Sequence, residues 1–171
     1  KVTQQSYDHN GNVISVTPPA RPAHGLSYTA VDLLATYDPP DAGFSPRETT
    51  WAYDLDRRLD LMTEPDGKTL DPGYDFAGRL STLSTPAETR TRSYDPVTGK
   101  LTSIATPAVT LSYLYDGHLL TDTTWSGAIA GTVSLGYDDD FRVVTETVNS
   151  ADPVTLGYDL DSLLVEAGDL A

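Results

Sequence analysis

Cysteine is absent from this 171-residue sequence, and methionine occurs once. The absence of cysteine excludes disulfides, thiolate nucleophiles and cysteine-bound zinc. It argues against a small eukaryotic extracellular module, which usually depends on disulfides, but it does not fix the compartment. No apolar run approaches the roughly 20 residues that a membrane helix requires, and the first residues do not have a signal-peptide pattern.

Basic residues are also scarce, with 11 Lys and Arg against 25 Asp and Glu and a net charge of −14. Such a chain repels phosphate backbones and anionic bilayers, so we expect neither nucleic-acid binding nor membrane insertion. A solvated acidic exterior is the simplest interpretation of the charge. An acidic face that repels or guides a partner is the sharper one.

Thr, Ser, Asp, Gly and Pro are abundant while Lys and Gln are few, which predicts an all-β protein. Eight of the ten tyrosines are followed directly by aspartate. Their spacings are 30, 16, 21, 20, 21, 22 and 21 residues, so the last five steps keep a near-constant period. The pairs are Tyr7-Asp8, Tyr37-Asp38, Tyr53-Asp54, Tyr74-Asp75, Tyr94-Asp95, Tyr115-Asp116, Tyr137-Asp138 and Tyr158-Asp159.

Each pair begins a longer pattern, of which Gly78-Arg79-Leu80 and Gly99-Lys100-Leu101 are clean copies. Tyr closes a strand, Asp starts a turn and Gly supplies a positive φ. In four units a second apolar residue follows the aliphatic one at +3, and a proline at +6 ends the strand. The pattern predicts tandem antiparallel β-hairpins of about 21 residues that form a curved or spiralling sheet.

The two sides of each hairpin differ in their apolar spacing. Val109, Leu111, Tyr113 and Tyr115 alternate as a half-buried strand does. The +3 spacing of the outgoing strand instead puts two apolar residues on opposite faces of a regular strand. Two explanations remain open: both faces are partly covered, or a bulge resets the register.

Residues 17–50 are the irregular part of the array, with two proline-rich stretches. We expect longer loops there. A solvated excursion is the simpler interpretation, and an inserted binding loop is the sharper one. Otherwise we expect residues 1–171 to form a single array, cut from a larger protein because both ends fall inside a unit.

The units resemble RHS/YD repeats, on the Tyr-Asp pairs and on the segments Asp75-Phe76-Ala77-Gly78-Arg79-Leu80 and Asp95-Pro96-Val97-Thr98-Gly99-Lys100-Leu101. The resemblance implies a β-sheet strip that spirals into a hollow shell. Such shells enclose a toxic C-terminal domain in bacterial polymorphic toxins and in C-components of insecticidal toxin complexes, and teneurins carry a related shell. The aspartyl autoprotease border of the bacterial members, of the type Asp-Pro-x-Gly-Leu, has no copy here, so no catalytic residue is carried over.

Candidate sites are few. The common hydrolase, zinc-protease, dinucleotide and P-loop motifs are absent, and His9, His24 and His118 share no metal-ligand spacing. The run Asp138-Asp139-Asp140 could bind calcium weakly, but a solvated turn is the simpler interpretation. Asp54-x-Asp56 and Asp159-x-Asp161 are interpreted in the same way. We therefore expect no metal, no cofactor and no enzyme activity.

The sequence is compatible with three functions. The first is a structural shell segment of a secreted or surface bacterial protein, whose partners are neighbouring repeats and an enclosed cargo domain. The second is a cell-surface adhesion or carbohydrate-binding module, in which Trp51 and Trp125 stack on a glycan or contact a receptor. The third is an inactive repeat fragment that associates through exposed strand edges.

Overall fold

The computed structural model describes residues 2–43 and 45–168, which contain sixteen strands and no helix. The all-β prediction is confirmed. The strands are β1 (Gln4–Tyr7), β2 (Val13–Thr17), β3 (His24–Tyr28), β4 (Leu34–Asp38), β5 (Thr49–Tyr53), β6 (Leu59–Thr63), β7 (Thr69–Tyr74), β8 (Leu80–Ser84), β9 (Thr89–Tyr94), β10 (Leu101–Ala105), β11 (Thr110–Asp116), β12 (Leu119–Ser126), β13 (Gly131–Tyr137), β14 (Val143–Val148), β15 (Val154–Tyr158) and β16 (Leu164–Ala167).

The strand order in the sheet is the order of the chain. Contacts divide the chain into two compact units, Lys1–Thr89 and Arg90–Ala171. Within each unit, every strand pairs antiparallel with the strand that follows it, as tandem hairpins require. Over residues 2–43 and 45–168 there is no helix with the length and apolar character needed to span a bilayer. The curvature of the sheet stays a prediction.

A β-bulge explains the +3 spacing of the outgoing strands. In the first hairpin Tyr7 pairs with Val13 and Ser6 pairs with Ser15, so Ile14 is an extra residue. The same shift follows the strand-ending tyrosine in each hairpin of the described chain. Because a bulge inserts one residue, the two apolar residues come to lie on the same face.

The consequence is a sheet with two different faces. In the β5–β6 hairpin Tyr53 lies opposite Leu59, and Trp51 lies opposite Met62. We call this the apolar face: the strand-ending tyrosines, the residues two and four before them, and their ladder partners. The other side, the hydroxyl face, carries mainly Ser, Thr and Gly; its members in the first unit include Ser15, Ser27, Thr36, Thr50, Thr63, Thr82 and Ser84.

Among the residues that the structure describes, no second layer covers the apolar face within either unit. Strand contacts run between strands consecutive in the chain, and no aliphatic or aromatic side chain of the described residues is fully buried. Most apolar-face side chains are instead half-buried against their neighbours. Since burial of apolar surface is the main driving force for folding, other interactions must contribute a large share of the stability.

The irregular stretch 17–50 contains a complete hairpin, β3–β4, whose turn does not begin with a Tyr-Asp pair. Tyr28 ends β3 and is followed by Thr29, whose hydroxyl accepts the backbone N–H of Leu33 at 3.1 Å. Tyr37 lies in β4, the second strand of this hairpin, opposite Leu26, whereas the tyrosines of the other Tyr-Asp pairs lie in the first strand of theirs. The strand-ending tyrosines then follow spacings of 21, 25, 21, 20, 21, 22 and 21.

The connection between β4 and β5 accounts for the spacing of 25. Asp38, at the end of β4, accepts a hydrogen bond from Arg47 Nε at 2.7 Å. Arg47 Nε also donates to the Pro39 carbonyl at 3.1 Å. Asp38 therefore closes a loop rather than starting a hairpin turn.

The turn that follows each tyrosine needs one residue with a positive φ. Glycine takes this position at Gly11, Gly78 and Gly99, whereas Phe141 holds it with φ at 62°. The left-handed conformation costs a residue with a Cβ roughly 1–2 kcal/mol, so this turn is strained in the β13–β14 hairpin.

We predict that Phe141→Gly raises the free energy of unfolding by about 1 kcal/mol, because glycine adopts this φ without the Cβ clash. Urea denaturation checks the value. Phe141→Ala is the control: it removes the exposed ring but keeps the Cβ, so it should give no comparable gain. Equal gains from both substitutions would contradict the conformational explanation.

Candidate functional site

The repeated turns are built on the aspartate side chain. Asp75 Oδ1 accepts the backbone N–H groups of Ala77 and Arg79, both at 2.9 Å, and its own N–H donates to the Arg79 carbonyl at 2.9 Å. Asp8, Asp54, Asp138 and Asp159 make the same pair of carboxylate contacts. The aspartate thus satisfies the turn's backbone donors, as predicted from its chemistry.

Six of the following tyrosines connect a hairpin to the one before it. The Tyr74 hydroxyl donates to the Leu59 carbonyl at 3.0 Å. The equivalent bonds join Tyr28 to Val13, Tyr53 to Leu34, Tyr115 to Leu101, Tyr137 to Leu120 and Tyr158 to Val143, at 2.7–3.0 Å. The acceptor is always the aliphatic residue before the bulge, where the ladder is locally disrupted and a carbonyl needs a donor.

A basic residue joins these two features. Arg58 donates from Nε to Asp54 Oδ2 at 2.8 Å, and its guanidinium lies 4.6 Å from the centroid of the Tyr74 ring. Lys100 lies over Tyr115 and Arg142 over Tyr158 at similar distances. We call the set Asp54, Arg58, Leu59 and Tyr74, with its equivalents in other hairpins, the clasp.

The clasp explains the order of residues in the repeat. Asp fixes the turn, Arg pairs with Asp and stacks on the next tyrosine, and the aliphatic residue supplies both a side chain and a carbonyl. Where another residue replaces the arginine, the contacts to both turns are kept. Asn12 Nδ2 donates to Asp8 Oδ2 at 3.0 Å and to Asp32 Oδ1 of the next turn at 2.7 Å. Arg142 donates to Ser162 Oγ of the next turn at 3.1 Å.

The Tyr115-Asp116 pair also departs from this scheme. Asp116 belongs to β11 and lies opposite Leu119 across a tight turn of Gly117 and His118. Gly117 has a φ of 54°, as two-residue hairpin loops require. Tyr115 and Leu120 still pair and their bulge remains, so the tyrosine position is kept although the aspartate turn is lost.

Hydrogen bonding lowers the pKa of Asp8, Asp54, Asp75, Asp95 and Asp138. The side chain and backbone N–H of Arg79 hold the pKa of Asp75 below its ordinary value of 3.8. The backbone N–H of the residue four positions on, followed by the arginine side chain, lowers the pKa of Asp54 and Asp138 in the same way. Pairing with these aspartates raises the pKa of Arg58 and Arg142. The charged forms of both the aspartate and the arginine are therefore favoured.

The other candidate residues occupy ordinary structural positions. His24 Nδ1 lies 2.6 Å from the Tyr37 hydroxyl, and the two rings stack at 5.8 Å. In the run Asp138-Asp139-Asp140, Asp138 fixes the turn and Asp140 pairs with Arg142 at 3.3 Å. Among the residues that the structure describes, no group of three or more acidic or histidine side chains could hold a metal ion.

Both tryptophans lie on the apolar face and are half-buried. A Cβ added at Gly131 would collide with the Trp125 ring, so this ring lies over the backbone of the neighbouring strand. No sequence pattern indicated that contact beyond the glycine at the start of β13. The Trp125 ring is therefore partly covered by its own sheet.

A family model described as Teneurin YD-shell matches residues 2–159. No curated protein matches the chain. The family resemblance inferred from the Tyr-Asp repeats is therefore confirmed by a match over most of the sequence.

Solved structures share the fold at low sequence identity. A crystal structure of TcdB2-TccC3 without its hypervariable C-terminal region is 15% identical over 95% of this chain, with a TM-score of 0.78. The Tc holotoxin pore of Photorhabdus luminescens, with a mutated TccC3, is 14% identical over 96% of this chain, with a TM-score of 0.80. The chain covers 10% of each of these larger chains.

We predict that Tyr74→Phe lowers the free energy of unfolding by about 1 kcal/mol, because it removes one hydrogen bond and leaves the Leu59 carbonyl without that donor. Urea denaturation of both proteins measures the loss.

The matched control for that substitution is Tyr7→Phe. The Tyr7 hydroxyl reaches Gln5 Oε1 of its own strand and the residue is exposed, so we expect a change close to zero. Losses of equal size at Tyr7 and Tyr74 would contradict a special role for the contact between hairpins.

The lowered aspartate pKa values predict a loss of stability in acid. A carboxyl with a depressed pKa in the folded state stabilises the fold above its unfolded pKa and loses that contribution as the pH falls through the folded pKa. The free energy of unfolding should therefore be independent of pH near neutrality and decrease as the pH drops under about 4.

Urea denaturation at a series of pH values measures this slope. Asp75→Asn lacks the titrating group, so we expect it to be less stable at neutral pH and to lose less on acidification. An acid slope that is the same in the variant would show that Asp75 does not contribute to it.

Proposed function

Since the chain belongs to the teneurin YD-shell family, we propose that it is a non-catalytic wall segment of a β-shell. The observation that carries the proposal is the uncovered apolar face: a one-layer sheet with no fully buried aliphatic or aromatic side chain in its described residues. In a hollow shell this face would line the interior, and the hydroxyl face would meet water. The carboxylates of the turns serve the clasp, which supports a structural role.

We further propose that residues 1–171 form one repeat array within a longer secreted or surface protein of bacterial origin, and that the shell encloses a C-terminal cargo domain. The match to a shell family over residues 2–159 supports the array. The small share of the solved Tc structures that the chain covers, 10%, supports a longer parent. Neighbouring repeats and the enclosed cargo would then be its partners.

Limited proteolysis of the full-length protein tests the enclosure. We predict that the C-terminal segment resists protease in the native protein, and that Met62→Glu shortens its survival severalfold, because a charge on the apolar face opposes packing against an enclosed polypeptide. Survival of the segment over time is measured on gels.

Leu61→Glu is the matched control, since Leu61 is the adjacent residue of β6 and lies on the hydroxyl face opposite Ala52. It makes the same change of charge and should leave protection intact. Rapid digestion of the C-terminal segment in the unsubstituted protein, or equal effects of both substitutions, would overturn the proposed enclosure.

A further inference from the structure

The apolar face of the second unit carries a cation. Arg92 lies two residues before Tyr94 in β9, and its ladder partner in β10 is Ile104. Ile104 in turn lies opposite Leu111, and Leu111 lies opposite Trp125. Within this unit, Arg92 therefore begins a row of side chains that is otherwise apolar.

No other hairpin of the described chain has a charged residue at this position. The residues two before the other strand-ending tyrosines are Gln5, Leu26, Trp51, Pro72, Tyr113, Leu135 and Leu156. Among the described lysines and arginines, only Arg90 and Arg92 lie within strands, and the others lie in turns and loops. The clasp uses basic residues of the turns, so it does not account for Arg92.

The guanidinium of Arg92 lacks an internal partner for one of its nitrogens. Nη1 is shielded from solvent and makes no hydrogen bond to any residue that the structure describes. The residue as a whole is half-buried, so part of its side chain stays accessible. Buried polar groups nearly always have a partner, and a desolvated cation without one is costly. The hairpins alone do not offset this cost.

The strands of the second unit supply no nearby carboxylate. Glu146, opposite Leu135, is the acidic residue of these strands that lies on the apolar face. It belongs to β14, which is five strand spacings from β9, or about 24 Å along the sheet. The other acidic residues of these strands lie on the hydroxyl face: Asp116, Asp122 and Glu166. In a chain of charge −14, the region around Arg92 is thus locally basic.

The chemistry around Arg92 defines what would bind there. A guanidinium pairs best with a carboxylate, which it can contact through two parallel N–H groups. The neighbouring Ile104 and Leu111 favour an occupant that also carries apolar groups beside its charge. A polypeptide with an acidic residue between aliphatic ones meets both conditions, whereas a free inorganic anion meets only the first.

We propose that Arg92 binds an Asp or Glu carboxylate of a polypeptide that lies on the apolar face, while aliphatic neighbours of that carboxylate pack on Ile104 and Leu111. The inference rests on the proposed wall function, in which this face lines the interior and the polypeptide is the enclosed one. It adds a chemical preference to that function: the wall recognises acidic side chains set in an apolar segment.

Nuclear magnetic resonance of the arginine Nε–H groups tests the contact. The Arg92 signal is identified by its absence from the spectrum of Arg92→Met. We expect the peptide acetyl-Leu-Glu-Leu-amide to shift this signal on titration, and acetyl-Leu-Gln-Leu-amide to bind about tenfold more weakly, because it lacks the charge-assisted hydrogen bonds. Sodium acetate should also bind more weakly, since it lacks the aliphatic neighbours.

Arg21→Met is the matched control. Arg21 is an exposed residue of the connection between β2 and β3, so this variant makes the same change of charge and should bind the glutamate peptide as the unsubstituted chain does. Equal affinity for the glutamate and glutamine peptides would overturn the proposal. Equal affinity for acetate would do so as well, since it would indicate an adventitious ion only.

The stability of the chain without peptide provides a second test. Methionine keeps the length and apolar stem of the side chain but removes the unpaired charge, so Arg92→Met should leave the urea midpoint unchanged or raise it. A clear fall in the midpoint would show that Arg92 is already paired within the chain, which overturns the proposal. Both tests are independent of protease protection in the parent protein, so the proposed enclosure and this contact can fail separately.

Discussion

A hydrogen bond from the tyrosine hydroxyl of one hairpin to a carbonyl of the preceding hairpin is the interaction on which this structure depends. The acceptor lies beside a β-bulge, where the ladder is disrupted and the carbonyl needs another donor. The bulge in turn brings the two apolar residues of the strand onto the face that carries the tyrosine. Each feature therefore requires the other: without the bulge the ring would meet a polar strand, and without the hydroxyl the carbonyl would lose its donor.

The contacts of the clasp run between neighbouring hairpins, which gives the array the energetics of a repeat protein. Arg58 binds the aspartate of its own turn and stacks on the tyrosine of the next hairpin. A hairpin of this length is marginally stable alone, so its order depends on the neighbour that provides the second half of the clasp. Tyr7, in the first described strand, shows the difference: its hydroxyl donates to Gln5 of its own strand and the residue is exposed.

Sequence reasoning reached the hairpins because their turn chemistry is local. Asp, Gly and the aliphatic residue lie within a few positions of each other, and strand alternation shows directly in Val133, Leu135 and Tyr137. It missed Tyr28, because Thr29 replaces the aspartate with a hydroxyl that accepts the same backbone N–H groups. It could not choose between a bulge and two covered faces, since that choice depends on ladder partners in another strand. The stacking of arginine on the next tyrosine spans two hairpins and leaves no mark within one turn.

The scarcity of buried side chains among the described residues connects the fold to its role. Clasps and ladder bonds can hold consecutive hairpins in register, but they leave the apolar face half-buried, and further burial must come from outside the sheet. The hydroxyl face has no such need, because Ser and Thr side chains are well solvated and small enough to pack beside the glycines before the tyrosines, such as Gly73 and Gly136. A sheet with these two faces is stable where water contacts its hydroxyl face and a less polar environment contacts its apolar face. Its composition is therefore that of a shell repeat, in which the surface left unsatisfied by folding is the apolar one.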